Sequence, residues 1–245
     1  MMTASEPISQ GNLRILGSST ASGGRYEKAT ITGEGRIHGD MSCEQLKVIG
    51  TLQMEGNLQA AHMKIVGTAE FDGSVQAGEI SVAGTAFVKG NSVIRTAEGG
   101  GTLEVAGSLR GETMKLKGEL TVRGDCEYER FETKGIFHIG GLLSADIVDV
   151  RMYQDCDAEE LGGGSITVKR ASAMNVFNLF FKPSPHAMFH AGAVEGDEIY
   201  LEYTRARLVR GKHVRIGPGC DIERIEYATK LDVHRSSTVK EKLNK

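Results

Sequence analysis

The sequence predicts an all-β chain wound as a parallel β-helix, a three-faced solenoid with 17-residue coils. Three observations predict it. Gly33, Gly50, Gly67, Gly84, Gly101, Gly118 and Gly135 recur at a step of 17 residues. Gly39, Gly56, Gly73, Gly90, Gly107, Gly124 and Gly141 form a second column at the same step. Between these glycines apolar and polar residues alternate in three short runs per unit, which is the spacing of strands that turn one side chain in and the next out. A unit of this kind cannot bury its apolar side alone, so it must stack on its neighbours.

Taken in order, residues 1–12 form a flexible N-terminus, "MMTASEPISQGN". It has neither a charged n-region nor an apolar h-region, and no run approaches the length of a spanning helix, so a cytoplasmic location is expected. "NLRILG" then matches "QLKVIG" one coil or more later, and Leu13 and Ile15 begin the ladder. The regular helix covers 13–150. In the coil that starts at Leu46 the inward residues are Leu46, Val48, Leu52, Met54, Leu58 and Ala60; one coil on they are Met63, Ile65, Ala69, Phe71, Val75 and Ala77. Glycine occupies two corners because a sharp bend between flat faces calls for positive φ. The corner set is Gly33, Gly39, Gly50, Gly56, Gly67, Gly73, Gly84, Gly90, Gly107, Gly118, Gly124, Gly135 and Gly141.

Three stretches break the pattern. "RTAEGGG" puts Ala97 and Gly99 where large interior residues belong and predicts a local bulge. "RMYQDCDAEELGGGS", residues 151–165, loses the glycine register and reads as an irregular loop. The ladder resumes as an irregular continuation over 166–235, with the pairs Ile166/Val168, Ile199/Leu201, Val214/Ile216 and Leu231/Val233. Within it, "AMNVFNLFFKPSPHAMF" holds Phe177, Phe180, Phe181 and Phe189, half of the 8 phenylalanines. That cluster either packs against the solenoid or offers an exposed apolar element, with Phe177, Phe180 and Phe181 as the contacts for a partner or membrane. Residues 236–245 read as a polar C-terminal tail able to cover the last strand edge.

Charge and chemistry exclude several classes. The net charge is −3, with both signs mixed along the outward columns, and no basic stripe of the kind that grips nucleic acid stands out. Cys43 and Cys126 fall in interior columns five coils apart, too far for a disulfide, and Cys156 and Cys220 lack a second ligand at zinc-site spacing. His38, His62, His138, His186, His190, His213 and His234 do not assemble into a catalytic set, and no catalytic, cofactor or metal residue is assigned. Two enzyme readings remain as alternatives: a carbohydrate-acting β-helix enzyme, and a hexapeptide-type acyltransferase. The second needs three equal six-residue steps per coil, whereas the steps here are six, six and five.

The units "GTLQMEG", "GTAEFDG" and "GELTVRG" resemble those of the bactofilins, bacterial polymer-forming cytoskeletal proteins, from about Ala29 to Val150. The resemblance implies a right-handed β-helix that joins end to end into nonpolar filaments without nucleotide. It also implies a scaffold role in cell shape, polarity, cell-wall enzyme positioning or motility. The partner would be the protein itself, as homopolymer or dimer, or a paralogue, and the proteins it recruits are not specified. Where many bactofilins carry a short apolar and basic N-terminal membrane segment, this chain has Glu6 and no lysine or arginine before Arg14. "NVFNLFF", beside Lys182, is the better candidate for peripheral membrane association. Independently of the resemblance, a solenoid ends in unpaired strand edges that recruit other strands, and Leu13 and Ile15 mark the expected assembly end.

The assigned faces make a direct prediction. Val82→Asp or Val122→Asp places a charge in an interior ladder with no counter-charge and costs about 3 kcal/mol or more. Charged substitutions at the outward neighbours Ser81 and Arg123 leave thermal melts nearly unchanged. Equal tolerance at inward and outward sites would mean that the faces are reversed or absent.

Overall fold

A computed structural model describes residues 11–171 and 183–245. The described residues contain strands and turns and no helix, and every strand pairing is parallel, as in a β-solenoid. The chain divides into two compact units, Met1–Gly107 and Ser108–Lys245.

The first unit holds β1 (Asn12–Glu55), β2 (Leu58–Ile65), β3 (Thr68–Phe71), β4 (Val75–Val82), β5 (Thr85–Val88), β6 (Ser92–Gly99) and β7 (Thr102–Val105). Its register is the 17-residue step of the sequence: Leu46 lies beside Met63 and Val48 beside Ile65, and those two lie in turn beside Ile80 and Val82. On the next face Leu52, Ala69, Ala86 and Leu103 form one interior column and Met54, Phe71, Val88 and Val105 another. All eight are buried, and the largest of them, Phe71, shares its coil with the small Ala69, which keeps the interior volume even from coil to coil. The expected bulge at Ala97 and Gly99 is absent. Both residues stay in register, opposite Ile80 and Val82, because Gly99 adopts a φ of 144° and its backbone closes on that of Val82.

Glycine occupies the corners for two reasons, and only one of them is the conformation expected from the sequence. Gly33, Gly39, Gly50 and Gly56 do have positive φ. The later corner glycines do not. At Gly67, Gly84 and Gly101 an added Cβ would instead fall inside the envelope of the carbonyl oxygen of the glycine one coil before. The requirement there is close approach of stacked backbones.

The second unit holds β8 (Leu109–Arg110), β9 (Thr113–Leu116), β10 (Glu119–Val122), β11 (Cys126–Met152), β12 (Cys156–Arg170), β13 (Phe189–Leu201), β14 (Thr204–Ile216), β15 (Asp221–Val233) and β16 (Thr238–Asn244). The pairs read from the sequence stack as expected: Val148 on Ile166, Ile166 on Ile199, Ile199 on Val214 and Val214 on Leu231. Two expectations are corrected. Residues 151–165 are not a loop, since Cys156 opens β12, which pairs with β11 on one side and β13 on the other. The apparent loss of register reflects a shift between Ile139 and Leu142 that lengthens the coil. A new corner column of Gly163, Gly196 and Gly211 replaces the old ones. Its steps of 33 and 15 residues conceal it in the sequence. Likewise residues 236–245 are not a loose tail, because β16 pairs with β15 as the final rung.

Of the four clustered phenylalanines Phe189 is buried at the start of β13. Its ring lies 5.7 Å from Phe137, which in turn meets Phe131 edge-on at 5.7 Å. Phe177, Phe180 and Phe181 lie outside the described residues.

The two glycine requirements can be separated by substitution. Gly39→Ala meets no atom but must hold a φ of 91°, which costs about 1–2 kcal/mol. Gly67→Ala has no positive φ but must push the Gly50 backbone away, and its melting temperature falls further. Equal destabilisation by the two would show that close approach is not the tighter constraint.

Candidate functional site

Each coil adds one row of outward side chains, so surface chemistry here is organised as columns. Several columns are bonded from coil to coil. His38 Nδ1 lies 2.6 Å from Glu55, His62 Nδ1 3.1 Å from Glu79, and Lys89 bridges Glu70 and Asp72 at 2.8 and 2.6 Å. In the second unit His138 pairs with Asp157 and His213 with Glu198. All of these groups are substantially exposed, so the pairs specify register more than they add stability.

A corner ladder that escapes the sequence reading follows the second glycine column. The Asp40 carboxylate accepts the Asn57 N–H at 2.7 Å, and the Asn57 side-chain oxygen accepts the Ser74 N–H at 2.9 Å. In the second unit Asp125 accepts the Leu142 N–H at 2.9 Å. Short polar residues at positions 40, 57, 74, 91, 108 and 125 were its only signal in the sequence.

Catalytic geometry is sparse. The histidine–carboxylate pairs could orient a base, but the cysteines offer no thiolate beside them. All four are buried and free, and burial pushes the Cys156 thiol up to about 12 and, with help from Glu44, Cys43 to about 11. Cys156, expected in a loop, is an interior residue that replaces an aliphatic side chain. Among the described residues no three metal-ligating groups converge. A shallow groove of about 560 Å³ in the second unit is floored by Ala191 and Gly192 between Glu159 and the arginines 205 and 207. It carries mixed charge and no reactive set.

The strand edges differ from the expectation. Ile15 is buried and Leu13 half-buried, so the residues expected at the assembly end are the interior of the first coil, tied to the next by the Glu27 N–H to the Gly11 carbonyl at 2.9 Å. At the other extreme β16 has a single partner, β15, among the described residues. The C-terminal segment does not cover an edge; it presents one. Val239 and Leu243 are only half-buried there, and the rung is held by Arg224 to Glu241 at 2.7 Å and Lys245 to Glu226 at 2.7 Å.

Comparison with known proteins accords with a repeat of this kind. Residues 4–93 match the bactofilin family model, described as polymer-forming cytoskeletal. The chain carries a bactofilin domain. That domain lies within the first unit and begins before the stretch from Ala29 on which the sequence resemblance rests. Two curated relatives come from Bacillus subtilis (strain 168). The uncharacterized protein YhbF is 41% identical over 103 residues, which is 42% of this chain and 41% of the relative. The uncharacterized protein YhbE is 35% identical over 103 residues, 41% of this chain and 42% of the relative. The chain thus spans about two fifths of the length of the curated relatives it matches. No solved structure matches. The family description is structural and names polymer formation, and among the described residues no helix is long and apolar enough to cross a membrane.

Beyond the bactofilin domain, the two flanks of residues 172–182 are fastened to neighbouring points. Ala171 N–H donates to Met152 O at 2.8 Å and Ser184 N–H to Tyr153 O at 2.6 Å. Arg170 donates twice to the Ala187 carbonyl, at 3.0 and 2.8 Å, while its guanidinium covers the Tyr203 ring at 3.3 Å. Tyr203 itself has a φ of 47°.

The final rung has a built-in acid sensitivity. Hydrogen bonds from Lys245 and then Arg210 hold the Glu226 carboxyl down at about 2, from an ordinary value of 4.5. A depressed carboxyl stabilises the fold above its unfolded value and loses that contribution as pH falls through the folded one. Hydrogen exchange of β16 amides should therefore accelerate between pH 4.5 and about 2 relative to amides of the interior strands. Glu226→Gln should flatten that difference; an unchanged profile would show that this carboxylate does not hold the rung.

Proposed function

We propose that this chain is a non-catalytic cytoskeletal scaffold that joins end to end through its strand edges, without nucleotide, and positions other proteins. The observation that carries the reading is β16, a seven-residue strand with one partner and a half-buried apolar pair, Val239 and Leu243. An edge of that kind offers backbone donors and acceptors to another strand. The polymer-forming description of the bactofilin domain supports self-association. The processes served would be those of cell shape, polarity, cell-wall construction or motility, in the cytoplasm or at the membrane surface. Leu13 and Ile15 support the opposite end from within, and the segment that contains Phe177, Phe180 and Phe181 is the proposed contact for a recruited partner, its flanks anchored at Met152 and Tyr153. The corner glycines serve assembly only indirectly, by keeping successive coils in register.

Electron microscopy of end variants tests this. If like ends meet by two-fold symmetry, blocking one end leaves dimers and not filaments. Val239→Lys with Leu243→Lys should give dimers, Leu13→Lys with Ile15→Lys should do the same, and the combination should give monomers. Phe180→Glu with Phe181→Glu should leave filaments intact. Filaments that persist in both end variants, or vanish only in the phenylalanine variant, would place the assembly surface elsewhere.

A further inference from the structure

The first unit presents an outer face whose chemistry differs from every bonded column described above. The strands that lead into the first glycine corner read "RILG" at 14–17, "KVIG" at 47–50 and "KIVG" at 64–67. In each, the third residue from the end is inward or nearly so in register with its neighbours, while the basic residue and the residue before glycine point out. Leu16 is 60% exposed, Ile49 39% and Val66 42%, three of the six large hydrophobics most exposed among the described residues. Beside them runs a column of exposed cations: Arg14, Lys47 and Lys64, with Lys28 on the coil between.

Two features set this face apart. Lys47 lies directly opposite Lys64 in the ladder, where like charges repel, whereas the neighbouring columns pair opposite signs. Among the described residues none of Arg14, Lys28, Lys47 and Lys64 has an acidic partner. The carboxylates nearest in sequence sit at the borders: Glu27 and Glu44 at the far corner, Glu79 bonded to His62, and Glu34 just past the glycine corner. Across the face itself a basic row and an apolar row run side by side over four coils.

We propose that this face docks on an anionic lipid bilayer, with the cations on the headgroup phosphates and Leu16, Ile49 and Val66 inserted between them. A surface that combines unpaired cations with shallow aliphatic side chains matches the interface of such a bilayer, where each cation adds attraction and each aliphatic group adds burial. A second copy of the same face fits poorly, because a two-fold contact would set lysine against lysine. The groove of this unit, about 1240 Å³, lies on the adjacent face around Gln59, Gln76 and Val93 and does not include the cation column. The inference is independent of end-to-end assembly, although a polymer would multiply the contact along one bilayer.

The test uses the full chain, sedimented with vesicles of phosphatidylcholine containing phosphatidylglycerol and with phosphatidylcholine vesicles alone. Binding should require phosphatidylglycerol and weaken with salt. Lys47→Gln with Lys64→Gln should lower the partition coefficient roughly 30-fold, and Ile49→Ser with Val66→Ser roughly tenfold, both with unchanged melting temperature because all four side chains point outward. Phe180→Glu with Phe181→Glu should bind as wild type. Electron microscopy of the same samples scores filaments separately, so loss of polymers is not mistaken for loss of lipid binding. Equal binding to neutral vesicles, no binding by the wild type, or loss of binding only in the phenylalanine variant would each overturn the assignment.

Discussion

The structure depends on one distance, the spacing of about 4.8 Å at which a parallel strand stacks on the one before. Along flat faces any side chain that alternates in and out tolerates it. At a corner the backbone turns and successive carbonyls close on one another, and there a single Cβ exceeds the space available. Gly84 rests on the carbonyl of Gly67 as Gly67 rests on that of Gly50. The glycine columns are therefore the points at which coil spacing is enforced, and the interior ladders of Leu, Ile, Val and Phe supply the burial that makes the spacing favourable.

Once spacing is fixed, chemistry is sorted by column. An inward column must be apolar in every coil, and the exceptions are few: among the described residues only the buried hydroxyls of Ser92 and Thr133 lack a partner. An outward column carries no such demand. It can alternate sign, as Glu70, Asp72 and Lys89 do, bond its corner as Asp40 and Asn57 do, or leave charges unpaired as Lys47 and Lys64 do. Surface function can thus change along one column without disturbing the core, because the two sets of residues never share a position.

This sorting explains how much of the fold was legible. The array up to Val150 keeps one step, so each interior pair predicts the next, and the pairs of the second unit were found even where the step changed, because two apolar residues flanking one polar residue still mark the same face. What could not be seen were features that depend on offset. Residues 151–165 looked irregular because the coil lengthens near Gly140 and because Gly163, Gly196 and Gly211 stand 33 and 15 residues apart. The polar spelling of "TVKEKLN" hid a strand, since the last rung buries only one side and needs few apolar residues. The reason for the corner glycines was half legible: sequence suggests positive φ, whereas contact between stacked backbones appears only in three dimensions. The site was less legible than the fold. Leu13 and Ile15 were recognised as interior, but which strand edge stays open depends on where β16 pairs.

The same geometry bears on why such a chain needs little catalytic apparatus. A reactive site requires several side chains to converge on one point, and parallel columns diverge from none; they run alongside one another at a constant pitch. Convergence would have to come from inserted segments, and the single long insertion here, between Arg170 and Phe189, is fastened at its base by Arg170, Met152 and Tyr153 while the coils on either side stay in register. What the columns do well is repeat a contact. A lattice of identical partners, or a flat surface that is uniform along its length, is engaged more strongly by each added coil, so a ladder that was selected for stacking also suits a protein whose ligands are extended.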